Sequence, residues 1–298
     1  MKNRNTITTL VILIALLASL ASITAIFGDK GPGPYEYESI RGQNVEIHGR
    51  GLYRHMSADV AIQGIAQDVV TLFAAIPLLL AFLIIYRRRS LRAHFLLAGT
   101  LGYFFVTYLF YTAMGMYNIM FPVYTALLGC SFFALLLLLL SADLKELSLR
   151  LAPGKATRIT GIFLMLNSIA IALLWLEVII PPLANGSIYP ESLQHYTTLI
   201  VQGFDLGLLL PLAFVAGVLL YRRTLMGYLA GITYIVFLSF LMTALTAKII
   251  AMGLHGYNII PVIFIIPVFN LFAIGCAAAM IRSIGKKGGE RISAPDYA

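Results

Sequence analysis

The 298 residues are 60% hydrophobic and only 11% charged, with a mean hydropathy of +0.89. A water-soluble fold of this length needs more polar surface. A β-barrel needs short strands alternating apolar with polar residues, whereas the apolar residues here continue for roughly twenty positions at a time. The formal net charge of +8 does not point to nucleic acid, because the bases sit at the ends of apolar runs and form no patch interleaved with aromatics.

The runs predict an all-α, polytopic transmembrane bundle of about eight spans, at 7–27, 60–86, 93–114, 119–141, 159–181, 198–221, 225–252 and 259–282. The first, 1–27, follows a basic stretch and contains Ser19-Leu20-Ala21, which could pass for a cleavage site. It is long for a signal peptide and reads as a retained anchor; if it were cleaved, seven spans would remain. Residues 28–59 form the longest extramembrane segment. Gly28 to Pro34 is turn-rich, and Tyr35 to His55 is too short for a core of its own, so the segment is expected to lie as a cap over the bundle.

Span two carries His55, Asp59, Gln63 and Gln67 at four-residue intervals, then Asp68, Pro77 and Tyr86-Arg87-Arg88-Arg89. Span three begins near His94 and lines one face with Thr100, Tyr103, Thr107 and Tyr111. Span four is followed by a linker span and loop, 142–197, with Pro153-Gly154, Glu177 and Pro181-Pro182, and then by span six with Gln202, Asp205, Pro211 and Tyr221-Arg222-Arg223. Span seven holds Ser239, Thr243, Thr246 and Lys248. A tail, 283–298, closes the chain. Of the 21 Lys and Arg, 16 lie in the loops that include both termini, four lie on the opposite side, and Lys248 lies within a span. This bias predicts a cytoplasmic (cell inner) membrane protein with a cytoplasmic C-terminus.

Residues 60–141 resemble 198–282. Met114-Gly115, Tyr117-Asn118-Ile119 and Pro122-Val123 match Met252-Gly253, Tyr257-Asn258-Ile259 and Pro261-Val262. The expected plan is a parallel 3+1+3 repeat behind an N-terminal span. In layout alone it resembles sugar-efflux carriers of the SWEET type; no signature residue of theirs is matched, so no substrate is implied.

Asp68, Glu177, Asp205 and Lys248 are ionisable residues within spans, where each is costly unless paired. Counted at about 1.5 Å per residue from the arginine ends, all four fall in the outer third. The expected site is a polar cavity open to the outside, with Asp68 and Asp205 as symmetry-related acids and Lys248 as counter-ion. Gln67, Gln202, Glu177, Tyr111, Tyr117, Asn118, Tyr257 and Asn258 would line it. It would bind a small polar solute, or a cation or proton coupled to transport. A metal-dependent enzyme facing outward would need a cluster such as His55, Asp68 and His255, yet no two histidines share a helix face. A third reading is a non-catalytic sensor or partner using residues 28–57. Cys130 and Cys276 lie inside apolar runs and read as packing residues. No cofactor motif, haem ligand pair or nucleotide loop is recognisable, Gly49-Arg50-Gly51 being only a turn.

Overall fold

The computed structural model describes residues 3–151 and 154–285. Lys2, Pro153, Lys286, Lys287 and Arg291, and most of the tail, lie outside the described residues. The protein is an all-α polytopic bundle with one small β-hairpin. The helices are α1 (Arg4–Phe27), α2 (Ala58–Arg87), α3 (Leu91–Ala113), α4 (Phe121–Leu140), α5 (Leu144–Arg150), α6 (Lys155–Ala184), α7 (Ile200–Tyr221), α8 (Leu225–Leu254) and α9 (Val262–Ser283). All but α5 are long and apolar enough to cross a membrane. Their outer faces expose Leu166, Leu173, Phe264 and Leu271, as lipid contact requires. The chain is therefore a multi-pass integral membrane protein.

Helix starts follow local chemistry. Ser90 and Thr224 cap α3 and α8, their hydroxyls accepting from the backbone N–H of Ala93 and Gly227. The residues before them, Arg89 and Arg223, both take a left-handed conformation, with φ of 60° and 58°. The two arginine clusters thus turn the chain in the same way. We call this the arginine end of the bundle, and the opposite end the cap end.

The cap contains the hairpin that the sequence reading did not foresee. β1 (Tyr35–Glu38) pairs antiparallel with β2 (Asn44–Ile47). Val45 and Ile47 are buried while Asn44 and Glu46 face out, the alternation of a one-sided ribbon. The Ser39 hydroxyl accepts from the backbone N–H of Arg41 and Gln43 across the turn.

The two helices outside the expected 3+1+3 repeat are packed into the bundle. α1 does not stand apart: it packs on α2 and α4 through Ile7, Val11, Ile14, Ala18, Ala21 and Ala25. α6 is not a mere linker, since it packs on α7 and α9. α8 packs on α2 and α3 as well as on α7 and α9, so α3 and α8 lie where α1–α4 meet α6–α9. Glycine permits that meeting. A Cβ on Gly99 of α3 would stand 2.4 Å from Val236 of α8.

Candidate functional site

In α2 and α7, a proline removes one N–H and crowds the carbonyl four residues back. Each helix relieves the crowding in the turn before its proline, widening to i→i+5 hydrogen bonding over Thr71–Ala75 ahead of Pro77 and over Asp205–Leu209 ahead of Pro211. These turns reset the expected symmetry of the acids. Asp205 opens its wide turn, whereas Asp68 lies three residues before its own. The register mate of Asp205 is Thr71, and that of Asp68 is Gln202. The two acids therefore do not occupy equivalent positions.

Asp68 is buried, at 1% exposure. Ser22 of α1 donates to its Oδ1 at 3.1 Å, and the Tyr53 hydroxyl, arriving from the cap, donates to its Oδ2. Tyr53 can enter because Gly64, one turn above Asp68, has no side chain: a Cβ there would lie 3.0 Å from the ring. Tyr111 packs edge-on against Tyr53 and donates to the Gly64 carbonyl at 3.3 Å. Tyr111 in turn contacts Tyr108 and Tyr124, with ring centroids 5.7 and 5.2 Å away. The hydroxyls of Tyr108 and Tyr124 are buried, and among the described residues no partner stands at ordinary hydrogen-bond distance from either.

Below this cluster, Gln67 donates to Tyr103 and Thr107 of α3 at 2.9 and 3.1 Å, and Thr71 shares a 2.8 Å hydrogen bond with Tyr103. On the other side, Asp205 is half-buried and accepts from Trp175 Nε1 of α6 at 2.8 Å. Lys248 of α8 lies within Coulombic reach of both Asp68 and Asp205. Among the described residues it forms no direct ion pair with either; the ion pair found there joins Glu146 to Arg150, away from the site. Asn270 of α9 adds a polar bridge, accepting from Thr243 at 3.2 Å.

The cap is fastened to the loop between α6 and α7. Arg41 donates to the Tyr196 carbonyl, Gln43 to the Glu191 carbonyl at 3.0 Å, and the Ser57 amide to the Tyr196 hydroxyl at 3.2 Å. Gln194 donates to both oxygens of Asp59. Two adjoining clefts open here, of about 480 and 300 Å3. His48, Arg50 and His255 line the first, Asp59 and Gln194 the second, and Glu46 and Tyr257 both. Partial burial, with Arg50 and His255 nearby, holds His48 below the ordinary imidazole value. Burial likewise lowers His195, against opposing help from the His55 carbonyl and Asp59.

Several expected site residues lie elsewhere. Glu177 is exposed; two residues from Trp175 is about 200° around a helix, so it points away from Asp205. Tyr117 is 78% exposed. Asn118 and Asn258 fold their own hairpins, accepting from the backbone N–H of Met120 and Ile260. Gln202 is half-buried. His55 and His255 are exposed while Asp68 is sealed, and among the described residues no three His, Cys, Asp or Glu side chains could hold a metal ion. Ser22, Tyr53, Tyr108, Tyr124, Trp175 and Asn270 escaped the sequence reading. The buried partners of an acid lie on other segments, and no local spacing marks them. No known protein family, curated protein or solved structure matches the chain.

Proposed function

We propose that the protein is a carrier for a small polar solute, with Asp68, Lys248 and Asp205 at its binding centre and the cap-end clefts as the entrance. The observation that carries this reading is the gathering of these three ionisable groups inside an apolar bundle, beneath a polar cap that closes over one of them. Ionisable residues inside a membrane bundle mark solute and ion pathways, and among the described residues these three form no direct ion pair with one another. The widened turns beside Pro77 and Pro211 supply joints in α2 and α7, where the hydrogen-bond ladder is already irregular. Pro122, Pro261 and Pro267 stand at or within α4 and α9 and add further breaks.

The same reading makes the halves α1–α4 and α6–α9 parallel repeats of four helices. The widened turn, the following proline, the left-handed arginine and the capping hydroxyl recur at one common interval along the chain. In each half the first helix also donates to the acid of the second. Lys and Arg bias puts the arginine end and the C-terminus in the cytoplasm of a cell with the protein in its cytoplasmic membrane.

Side-specific labelling tests the reading. With Cys130 and Cys276 replaced by Ala, Thr71→Cys in sealed vesicles should react with a membrane-impermeant thiol reagent added from either side. Reaction from the cap side alone, or from neither, would rule out alternating access. In a panel of solutes offered to proteoliposomes, Asp68→Asn and Asp205→Asn should each abolish uptake while the protein still inserts and purifies; full uptake by both would remove these acids from the site.

A further inference from the structure

We infer that Tyr53 is a built-in occupant of the Asp68 site, standing where the ligand binds, and that this ligand is a monovalent organic ammonium ion. The inference rests on the carrier reading and names its substrate class. Tyr53 belongs to the cap, not to the bundle, and yet its ring lies in a slot between the bare backbone of Gly64 and the edge of Tyr111. Its hydroxyl ends on the Asp68 carboxylate. When the cap lifts, a space the size of a phenol opens beside that carboxylate.

The charges facing this space decide what fills it. α2 presents the Asp68 carboxylate, which has then lost its Tyr53 donor, and α1 adds the Ser22 hydroxyl. A buried carboxylate short of a donor is penalised in a medium of low dielectric. An ammonium group supplies the missing N–H donor together with a charge of opposite sign, whereas an anion would be repelled. The remaining titratable neighbours are phenols: Tyr103, Tyr108 and Tyr111 on α3 and Tyr124 on α4. Three of these, Tyr108, Tyr111 and Tyr124, form contiguous rings with centroids 5.2–6.0 Å apart. Aromatic faces beside a desolvated carboxylate are the surroundings that hold ammonium groups by cation–π attraction. The phenol oxygens of Tyr108 and Tyr124, buried beside these rings, can accept from N–H donors.

The test uses the full-length protein in lipid nanodiscs, titrated by calorimetry with benzylammonium chloride, with sodium chloride at equal ionic strength as control. Removing the occupant should raise apparent affinity, because the competent state no longer competes with a hydrogen bond to a charged group. Tyr53→Ala should bind benzylammonium roughly ten- to hundredfold more tightly than the unaltered chain. Gly64→Ala, which pushes on the ring without touching any polar group, should act in the same direction. Asp68→Asn should bind none. Equal affinity in all four proteins would overturn the inference, as would binding that survives Asp68→Asn. It also falls if sodium or a drop in pH reproduces the effect and benzylammonium does not, since the ligand would then be a metal ion or a proton. Labelling of Thr71→Cys from both sides is independent of any amine. A carrier with another substrate would therefore keep that result and lose only this one.

Discussion

The half formed by α1–α4 encloses its acid, whereas the half formed by α6–α9 leaves its acid half open. Asp68 is covered by α1, by the tyrosines of α3 and α4, and by the cap. Among the described residues Asp205 accepts one side-chain bond, from Trp175, and the helix around it is loosely surrounded: a Cβ on Gly203 or Gly207 would meet nothing within 4 Å, where one on Gly64 strikes Tyr53. The same backbone joint thus sits in a dense setting and in a sparse one. Backbone geometry came from a proline and its neighbours, while the burial of each carboxylate came from segments far away in sequence.

The seam between the halves is the place to break this comparison. Gly99→Val drives a branched side chain into Val236 and the Phe237 backbone; a loss of about 3 kcal/mol is expected in denaturation in micelles, against no loss for Gly207→Ala, whose Cβ meets open space and whose helix propensity is higher. Comparable losses would mean that the two regions are equally packed. The two acids can then be set against each other. Tyr53→Phe removes a fully buried bond to a carboxylate and should cost about 2 kcal/mol, whereas Trp175→Phe at half-buried Asp205 should cost about 1 kcal/mol, read from the same unfolding curves. The reverse order would contradict the contrast in enclosure.

The smallest effect concerns the cap. His48 and His195 titrate lower with the cap closed than the free imidazole value of 6.5. Above that value both states are neutral and closure is at full strength. As pH falls below it, the open cap takes up protons first, so closure weakens. Amide exchange in the 35–47 hairpin, corrected for intrinsic rates, should be a few-fold faster at pH 5.5 than at pH 7.5, and unchanged in α6. Replacing both histidines with Gln should flatten the difference; an undiminished pH response would assign it to other groups.

The spans were legible because a twenty-residue apolar window is a local property, and the arginine clusters with Ser90 and Thr224 marked two helix starts. Pro77 and Pro211 announced irregular helices, and their spacing already held the register of the acids, because Asp68 stands farther ahead of its proline than Asp205 does. The hairpin was easy to miss because Tyr35–Glu38 and Asn44–Ile47, although both alternate in sequence, are only four residues long each. Asp68 and Asp205 drew notice as charges in apolar runs, but Ser22, Tyr53 and Trp175 are an ordinary serine, tyrosine and tryptophan until the fold sets them against a carboxylate. Glu177 shows the converse: a charge can stand out in sequence and still face away from the site.

The donors to both acids lie earlier in the chain than the acids themselves. Ser22 and Tyr53 precede Asp68, and Trp175 precedes Asp205. An aspartate raises the cost of inserting a span, by about 2.5–3.5 kcal/mol at the helix centre and by less toward an end. During synthesis from the N-terminus, α1 is made before α2, and α6 before α7. Each carboxylate therefore enters the membrane after the groups that will bond to it, and neither has to wait for a helix not yet translated.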